Sequence, residues 1–572
     1  MRSLTKLQSV LIVAGGFVCY FLADGYTYSI GILYSHLLST FQISSSSAAA
    51  LPGLLYSVPQ FTAIFLCPLL DTYGYSSGAA WGAILLCISS LASAFAPNIY
   101  VLYFTLGAVA SVGLQLTYSS AIMAVTDAFK SAKLFGLAVG LTMCGSGVGS
   151  FSANPFIAWM LESWTWRELM LIESAILLHS MVSASCFHHL DAINFRNRAN
   201  TLLETKNDAV EAHPEDVEGL AMTEINDYAL EDDTEEKVRT QCCARSCCIE
   251  TVWSFLRYIL CLPSRYRFKQ DSLQRKSQLT SIYEFEEASH DDSCVEFWNA
   301  FTVSLKQLVS TGLWRNPDFL AYIIANSLTG LGVVIPWTFI YDHCLISLSR
   351  DGELDHLNAS HVSWLPALIG LGSLSGQIFF GLVTSRFCNC LSKHSSPEPG
   401  SELAVPIHNP CSRFFRHVQA RSRCFLLFAG VLAWNGLTTL LIALLPFDQL
   451  ATQVSSSVSF FQFPIGITMG AACFLTGISY GGLYVLYPQI LMQTVGEQLW
   501  AAGLGVFLFL NGAMNLVGTT ISGRLFDSTG SYTPAFLVAA CIPFVGLLVL
   551  AIEQLVQYQF TRGVRRHSTT SA

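Results

Sequence analysis

The chain has 572 residues, of which 52% are hydrophobic and only 12% charged, where a soluble domain carries roughly 25% charged residues. The apolar residues fall in runs of about twenty, the length that crosses a bilayer core, which excludes an ordinary soluble protein. The net charge of −9 offers no basic surface to a nucleic-acid partner.

The first apolar run begins near Val10, has no small-residue cleavage site and flows into a full-length span, so it reads as a retained helix. Twelve spans follow along the chain, at about 9–34, 50–70, 77–97, 99–125, 133–160, 168–190, 318–343, 362–385, 423–446, 464–490, 499–523 and 533–557. The expected fold is therefore an all-α membrane protein, with twelve transmembrane helices in two six-helix bundles. The bundles occupy 1–190 and 316–557; between them 191–315 is a cytoplasmic loop, and 558–572 is a cytoplasmic tail. Apart from Arg167, Arg350 and Arg524, every Lys and Arg falls in the N-tail, the loops after even-numbered helices, the intervening helix starts or the C-tail. The positive-inside rule then places both termini in the cytoplasm, and the expected membrane is the plasma membrane.

Helix one carries Asp24 about halfway along, where an ionised carboxylate is expensive and usually faces a cavity. Tyr28, Gly31 and Ser35 follow on its face. Helix five opens with Lys130 and Lys133 and then runs about twenty residues without a charge. Gly136 and Gly140 are four apart, and so are Gly145 and Gly149. Such spacing stacks each pair on a helix face that a second backbone can approach closely. Glycine weakens a helix in water, but in lipid the cost of unmet backbone groups holds the helix together. Segment FGLAVGLTMCG (Phe135–Gly145) is echoed by AGLGVFLFLNG (Ala502–Gly512) at the start of helix eleven, as expected of duplicated six-helix units.

In the loop, the acidic stretch Glu204–Glu236 has few aromatics and reads as a disordered tether. CCARSCC (Cys242–Cys248) precedes an apolar run at about 249–262 that contains Glu250 and Arg257. That run is too short and too charged to span, so a helix lying on the inner membrane surface is expected. The cysteines beside it are candidates for acylation. Zinc is the weaker reading, since no His lies at ligand spacing. Most of the 18 cysteines lie in apolar runs or in this loop, which favours reduced thiols over disulfides. Asn358-Ala359-Ser360 is a glycosylation sequon in the loop before helix eight, on the outer side of the membrane in this topology.

Several segments together resemble the monocarboxylate transporter family of the major facilitator superfamily. They are ADGYTYSIGILY (Ala23–Tyr34), the Lys130 and Lys133 loop with its following glycines, SWTWR (Ser163–Arg167), LMQTVGEQLWAAGLGVF (Leu491–Phe507) and GRLFDSTGSY (Gly523–Tyr532). The resemblance covers nearly all the membrane-embedded length. It implies a two-bundle transporter that works by alternating access around a central cavity, and it leaves room for a single-span accessory subunit. Proton-linked lactate and pyruvate carriers of that family have a Lys late in helix one and an Asp and Arg four apart in helix eight. Here Ile32, Ser373 and Gln377 stand at those positions. A bare carboxylate solute thus lacks a cationic partner, and its desolvation would cost several kcal/mol.

With the cations gone, Asp24 is the candidate for proton or cation coupling, and with Tyr28 it is a candidate substrate contact; the competing reading is a bond to a neighbouring helix. Tyr480 and Tyr484, with Tyr487, form a polar-tipped aromatic stripe on helix ten, which fits either a substrate wall or core packing. Gln115, Asn326, Ser373, Gln377, Asn511 and Asn515 could bond a neutral or zwitterionic solute, or act as glue between helices. Tyr118, Glu173 and His179 are further candidates. No nucleophile–base set, Walker loop or metal cluster appears, so neither an enzyme nor a cofactor is expected. The expected function is secondary transport of a small organic solute, a monocarboxylate or a related compound. The alternatives are a facilitator of a neutral, zwitterionic or cationic solute, and a transporter-shaped sensor or scaffold. The bilayer and the solute are the expected partners.

Overall fold

The computed structural model describes residues 5–42, 44–130, 132, 134–194, 314–348, 362–387, 423–445, 464–496 and 499–570. Lys133, the stretch 204–236, Cys242–Cys248, the segment 249–262 and Asn358 lie outside the described residues. Among the described residues, twelve helices are long and apolar enough to cross a membrane. They are α1 (Lys6–Leu38), α2 (Ser47–Asp71), α3 (Tyr75–Ala94), α4 (Ile99–Phe129), α5 (Phe135–Ser163), α6 (Trp166–Asn194), α7 (Pro317–Ile346), α8 (Trp364–Arg386), α9 (Cys424–Leu444), α10 (Gly466–Val495), α11 (Trp500–Thr529) and α12 (Thr533–Gln557). Described residues up to His188 and from Trp314 onward form one compact unit; His189–Asn194, the end of α6, belong to a second.

Local chemistry fixes the helix ends. A capping box starts α1: Gln8 N donates to Thr5 Oγ1 and Thr5 N donates to Gln8 Oε1. Thr165 and Glu168 form a second capping box at α6, inside the SWTWR segment. Each box satisfies two backbone donors that the helix itself leaves free. Gly74, at φ 95°, turns the chain between α2 and α3 where a side chain would be strained. Within the spans, buried hydroxyls bond back to carbonyls of their own helix, as Thr142 does to Ala138 O (2.9 Å) and Thr329 to Ala325 O (2.8 Å). Lipid offers them no water, so this is how they are met.

Helices α1–α6 pack among themselves, with α5 along α1, α3 along α4 and α6, and α2 along α4. Helices α7–α12 do the same, with α12 along α7 and α9, and α10 along α8 and α9. The two groups meet along two long seams, α2 on α11 and α5 on α8, and where the last turns of α1 reach α7. The expected twelve-helix, two-bundle fold is the observed one.

The two spaced glycine pairs of α5 divide between two neighbours. Gly145 and Gly149 lie against the α1 backbone at Phe17 and Phe21. Gly136 and Gly140 lie against α8, at Thr384 and at Gln377 and Gly381. Nine residues separate Gly136 from Gly145, about two and a half turns, which points the pairs in opposite directions. One pair thus joins α5 to its own bundle and the other joins it across the seam.

Candidate functional site

The end of the molecule where α1 begins is called the near end, and the one where it finishes the far end. Between them, five helices of both bundles bring polar aromatic side chains together. From α1, Asp24 is buried at 7% exposure and its Oδ1 accepts a hydrogen bond from the Tyr118 hydroxyl of α4 (2.5 Å). The Ser146 side chain of α5 lies beside this carboxyl. One turn on, the Tyr28 hydroxyl bonds that of Tyr484 on α10 (2.5 Å) and so crosses between the bundles. The Tyr28 ring stacks on Trp337 of α7 (4.2 Å), and Trp337 stacks in turn on Tyr480 (6.0 Å). Tyr56 of α2 is tilted against Tyr28 (6.0 Å), and Tyr20 lies against Tyr118 (5.5 Å). Tyr118 and Tyr484 are half-buried, whereas most of the rings around them are buried. The Trp337 indole N–H is buried without a hydrogen-bond partner among the described residues.

Why these residues converge follows from helix period. Asp24 and Tyr28 are one turn apart on α1, and Tyr480, Tyr484 and Tyr487 keep the same spacing on α10, so each set presents one face. Glycines on the adjoining face of α10, Gly477 and Gly481, lie against α8 backbone at Ile369 and Ser373. Side chains of α10 therefore point to the centre while its backbone rests on α8.

The structure gathers Asp24, Tyr28, Tyr480 and Tyr484 in one place and distributes the other candidates. Gln115 donates to Ser119 within α4 (2.5 Å), and Ser119 in turn meets Cys67 of α2 (3.3 Å). Gln377 donates to Ser373 one turn earlier on α8 (3.2 Å), and its Oε1 is buried without a partner among the described residues. Asn511 Nδ2 donates to Gln60 Oε1 across the α2–α11 seam (3.0 Å), while Asn515 lies near Gly330 of α7. Asn326 is buried at 9% exposure on α7. His179 sits at a turn inside α6, with Nδ1 against Ala175 O (2.9 Å).

A second buried carboxyl escaped the sequence reading. At the far end, Asp342 of α7 accepts from the Tyr532 hydroxyl through Oδ2 (3.0 Å), and Tyr532 meets the Tyr34 hydroxyl of α1 (3.2 Å). Phe339 packs edge-on to Tyr34 (5.8 Å) and stacks on Tyr532 (4.9 Å). Asp342 lies at the end of its span, where a charge looks like a loop residue. The rule that singled out Asp24, that an ionisable group within a span is functional by default, would have found it.

Twelve spans in two bundles, with a polar centre between them, define a membrane transporter. A family model described as Major Facilitator Superfamily matches residues 16–392, and the chain belongs to that superfamily. Within it the chain is monocarboxylate transporter-like. It is 22% identical to human (Homo sapiens) Monocarboxylate transporter 12, over 96% of this chain and 80% of that protein. It is 23% identical to Monocarboxylate transporter 12-B of Danio rerio (96% and 87% covered) and 22% identical to Monocarboxylate transporter 9 of Pongo abelii (95% and 92%). Among solved structures, a peptide transporter POT in complex with sulfate aligns at TM-score 0.53 and 12% identity, covering 95% of this chain and 94% of its own. A POT family transporter in complex with 5-aminolevulinic acid also gives 0.53 at 12% identity, with 95% of each chain covered. These structures share the fold. The protein is a multi-pass membrane protein and a secondary transporter.

Proposed function

We propose that this transporter moves a small organic solute by alternating access, through the centre where Asp24, Tyr118, Tyr28 and Tyr484 meet. The observation that carries the reading is the Tyr28–Tyr484 hydrogen bond beside a buried carboxyl, since it joins the two bundles midway along α1. Rocking of one bundle against the other opens such a contact to one side and then the other. Near-end loops and both termini face the cytoplasm in this proposal, in line with the placement of Lys and Arg, and the membrane is the plasma membrane.

The names of the relatives make a monocarboxylate or a related compound the first substrate class to test. A second class, neutral, zwitterionic or cationic solutes, is favoured by the centre itself. Among the described residues of α1, α4, α7 and α10 the only Lys or Arg is Lys6, at the very start of α1. Asp24 supplies a negative charge, and the surrounding rings offer faces that attract cations. The free Trp337 N–H suits a carbonyl or carboxylate at the other end of the solute. Asp24 is the residue we assign to proton or cation coupling, with symport as its consequence.

Reconstitution into liposomes and uptake of a labelled solute panel at several proton gradients tests this. Uptake of a solute bearing an amino or guanidino group, lost in Asp24→Asn, is the expected result. Lactate uptake driven by a proton gradient and unchanged in Asp24→Asn would overturn the role of this centre. Flux that survives deletion of 204–236 would count against the scaffold alternative.

A further inference from the structure

Behind α1, on the side away from the central tyrosines, a further carboxyl is buried. Glu173 of α6 is 7% exposed and Tyr26 of α1 is 8% exposed. Glu173 Oε2 and the Tyr26 hydroxyl are both buried without a hydrogen-bond partner among the described residues. Both line a cavity of about 10 Å³, room for about one water. Tyr26 lies two residues from Asp24 and two from Tyr28, which on a helix sets it on roughly the opposite side. The two sites share one helix and look in opposite directions.

We propose that Glu173 and Tyr26 form a proton-binding site, in which the Glu173 carboxyl carries an exchangeable proton. The inference rests on the transporter reading for its purpose but on this cavity for its chemistry. Oxygen is scarce there: a carboxyl, one phenol and the Ser29 hydroxyl, which is already committed to Tyr26 O (3.0 Å). The remaining walls include Ile30, Leu33 and Met170. A metal cation asks for six or more oxygens or several retained waters, so a proton is the ligand that fits. Of the helices packed on α6, α1 contributes Tyr26, α5 contributes apolar Ile157, and α3 meets it through Ser90, whose hydroxyl donates to Met170 O (2.9 Å). Among the described residues, Tyr26 is thus the one titratable group besides Glu173 that lines the cavity, and neither Lys nor Arg lines it.

The step is a simple proton exchange. The O–H bond of the carboxyl breaks, the proton leaves on a water of the size the cavity admits, and the electron pair stays on the carboxylate, which then draws the Tyr26 O–H as donor. That pull falls on a weak point of α1. Regular helix stops at Tyr28 and resumes at Ile30, Ser29 being in a turn whose carbonyl accepts from Ile32 N (3.0 Å). The segment beyond this break brings its backbone against α7, where Gly31 lies against the carbonyls of Trp337 and Thr338. Proton occupancy therefore biases the tilt of the far half of α1, the part that must move when the far end opens.

The test uses the full chain in lipid and dicyclohexylcarbodiimide, which adds across a protonated carboxyl in an apolar place and rearranges to a stable N-acylurea. Adducts are mapped by mass spectrometry over a pH series. The expected result is an adduct on Glu173 at neutral pH that declines as pH rises. Tyr26→Phe should move that decline upward by about one pH unit, because the ionised form loses its donor. Glu173→Gln should abolish the adduct and flatten the pH dependence of solute flux while uptake at low pH persists. A Glu173 that stays unlabelled at every pH would overturn the site. So would a labelling curve that Tyr26→Phe leaves in place together with a Glu173→Gln flux that follows the wild-type pH curve. Labelling needs no transported solute, so failure of the transport reading would show as absent flux with the adduct intact.

Discussion

Replacing Gly145 by alanine tests whether α1 and α5 are held at backbone distance. A Cβ there would lie 2.9 Å from both the Phe17 carbonyl carbon and Phe21 N, and closer still to the Phe17 oxygen. Ordinary contact begins at 3.4 Å, so the two backbones must part by about 1 Å, and no side-chain rotation can absorb it. Overpacking of this kind costs about 1–3 kcal/mol, and the backbone contacts put this site at the upper end. Alanine also favours a helix over glycine by about 1 kcal/mol, which leaves a net loss of about 2 kcal/mol. Gly430 isolates the helix effect, because a Cβ there meets nothing within 4 Å. Thermal unfolding of the purified variants in detergent, followed by tryptophan fluorescence and size exclusion, reads the difference. Gly145→Ala should melt several degrees below wild type and Gly430→Ala at or above it. If Gly145→Ala melts with Gly430→Ala, the close approach of α1 to α5 is not what glycine provides there.

Gly136→Ala should cost less than Gly145→Ala in the same assay, since its nearest neighbour is the Thr384 hydroxyl, which can rotate away; an equal or larger loss would argue otherwise. Tyr118→Phe removes the donor to Asp24 and should lower uptake by about tenfold or more, the equivalent of 1.4 kcal/mol, without lowering the melting temperature to the same degree. Tyr532→Phe leaves buried Asp342 without that donor and should destabilise by about 1–3 kcal/mol, which chemical or thermal unfolding would register. Asn511→Ala strips the bond to Gln60 across the α2–α11 seam and should change the rate of transport more than solute affinity, measured as a split between kcat and KM.

Fold was legible because its cause is local. A bilayer demands about twenty apolar residues per crossing and leaves backbone groups no partner but their own helix, so span count and length can be read directly from the chain. The centre was legible in part. Asp24 announces itself as a charge in an apolar run, and the Tyr480–Tyr484–Tyr487 stripe by its period. Trp337 and Tyr56 gave no such sign, since an aromatic within a membrane helix is ordinary until a neighbour is known. Glu173 was visible, but Tyr26, which lines the same cavity, was not, because nothing in the sequence of α1 says which helix covers the face opposite Asp24. The amides show the complementary difficulty. Gln115, Gln377 and Asn511 look alike in sequence, yet their bonds run within α4, within α8 and across a seam. A side-chain amide can serve any of these roles, and only the register of the neighbouring helices decides among them.

The chain of Tyr34, Tyr532 and Asp342 has an asymmetry with kinetic weight. Two of its members, Asp342 and Tyr532, belong to the second bundle, and only Tyr34 belongs to the first. In the alternating-access cycle proposed above, the contact that breaks when the bundles separate at the far end is the one between the two phenols, while Asp342 keeps hold of Tyr532. The phenol left behind is still held at its post and does not have to find its rotamer again. Re-closure then becomes a docking onto a standing target, quick to form and difficult to form out of register, so that the return stroke finds the same alignment on every cycle.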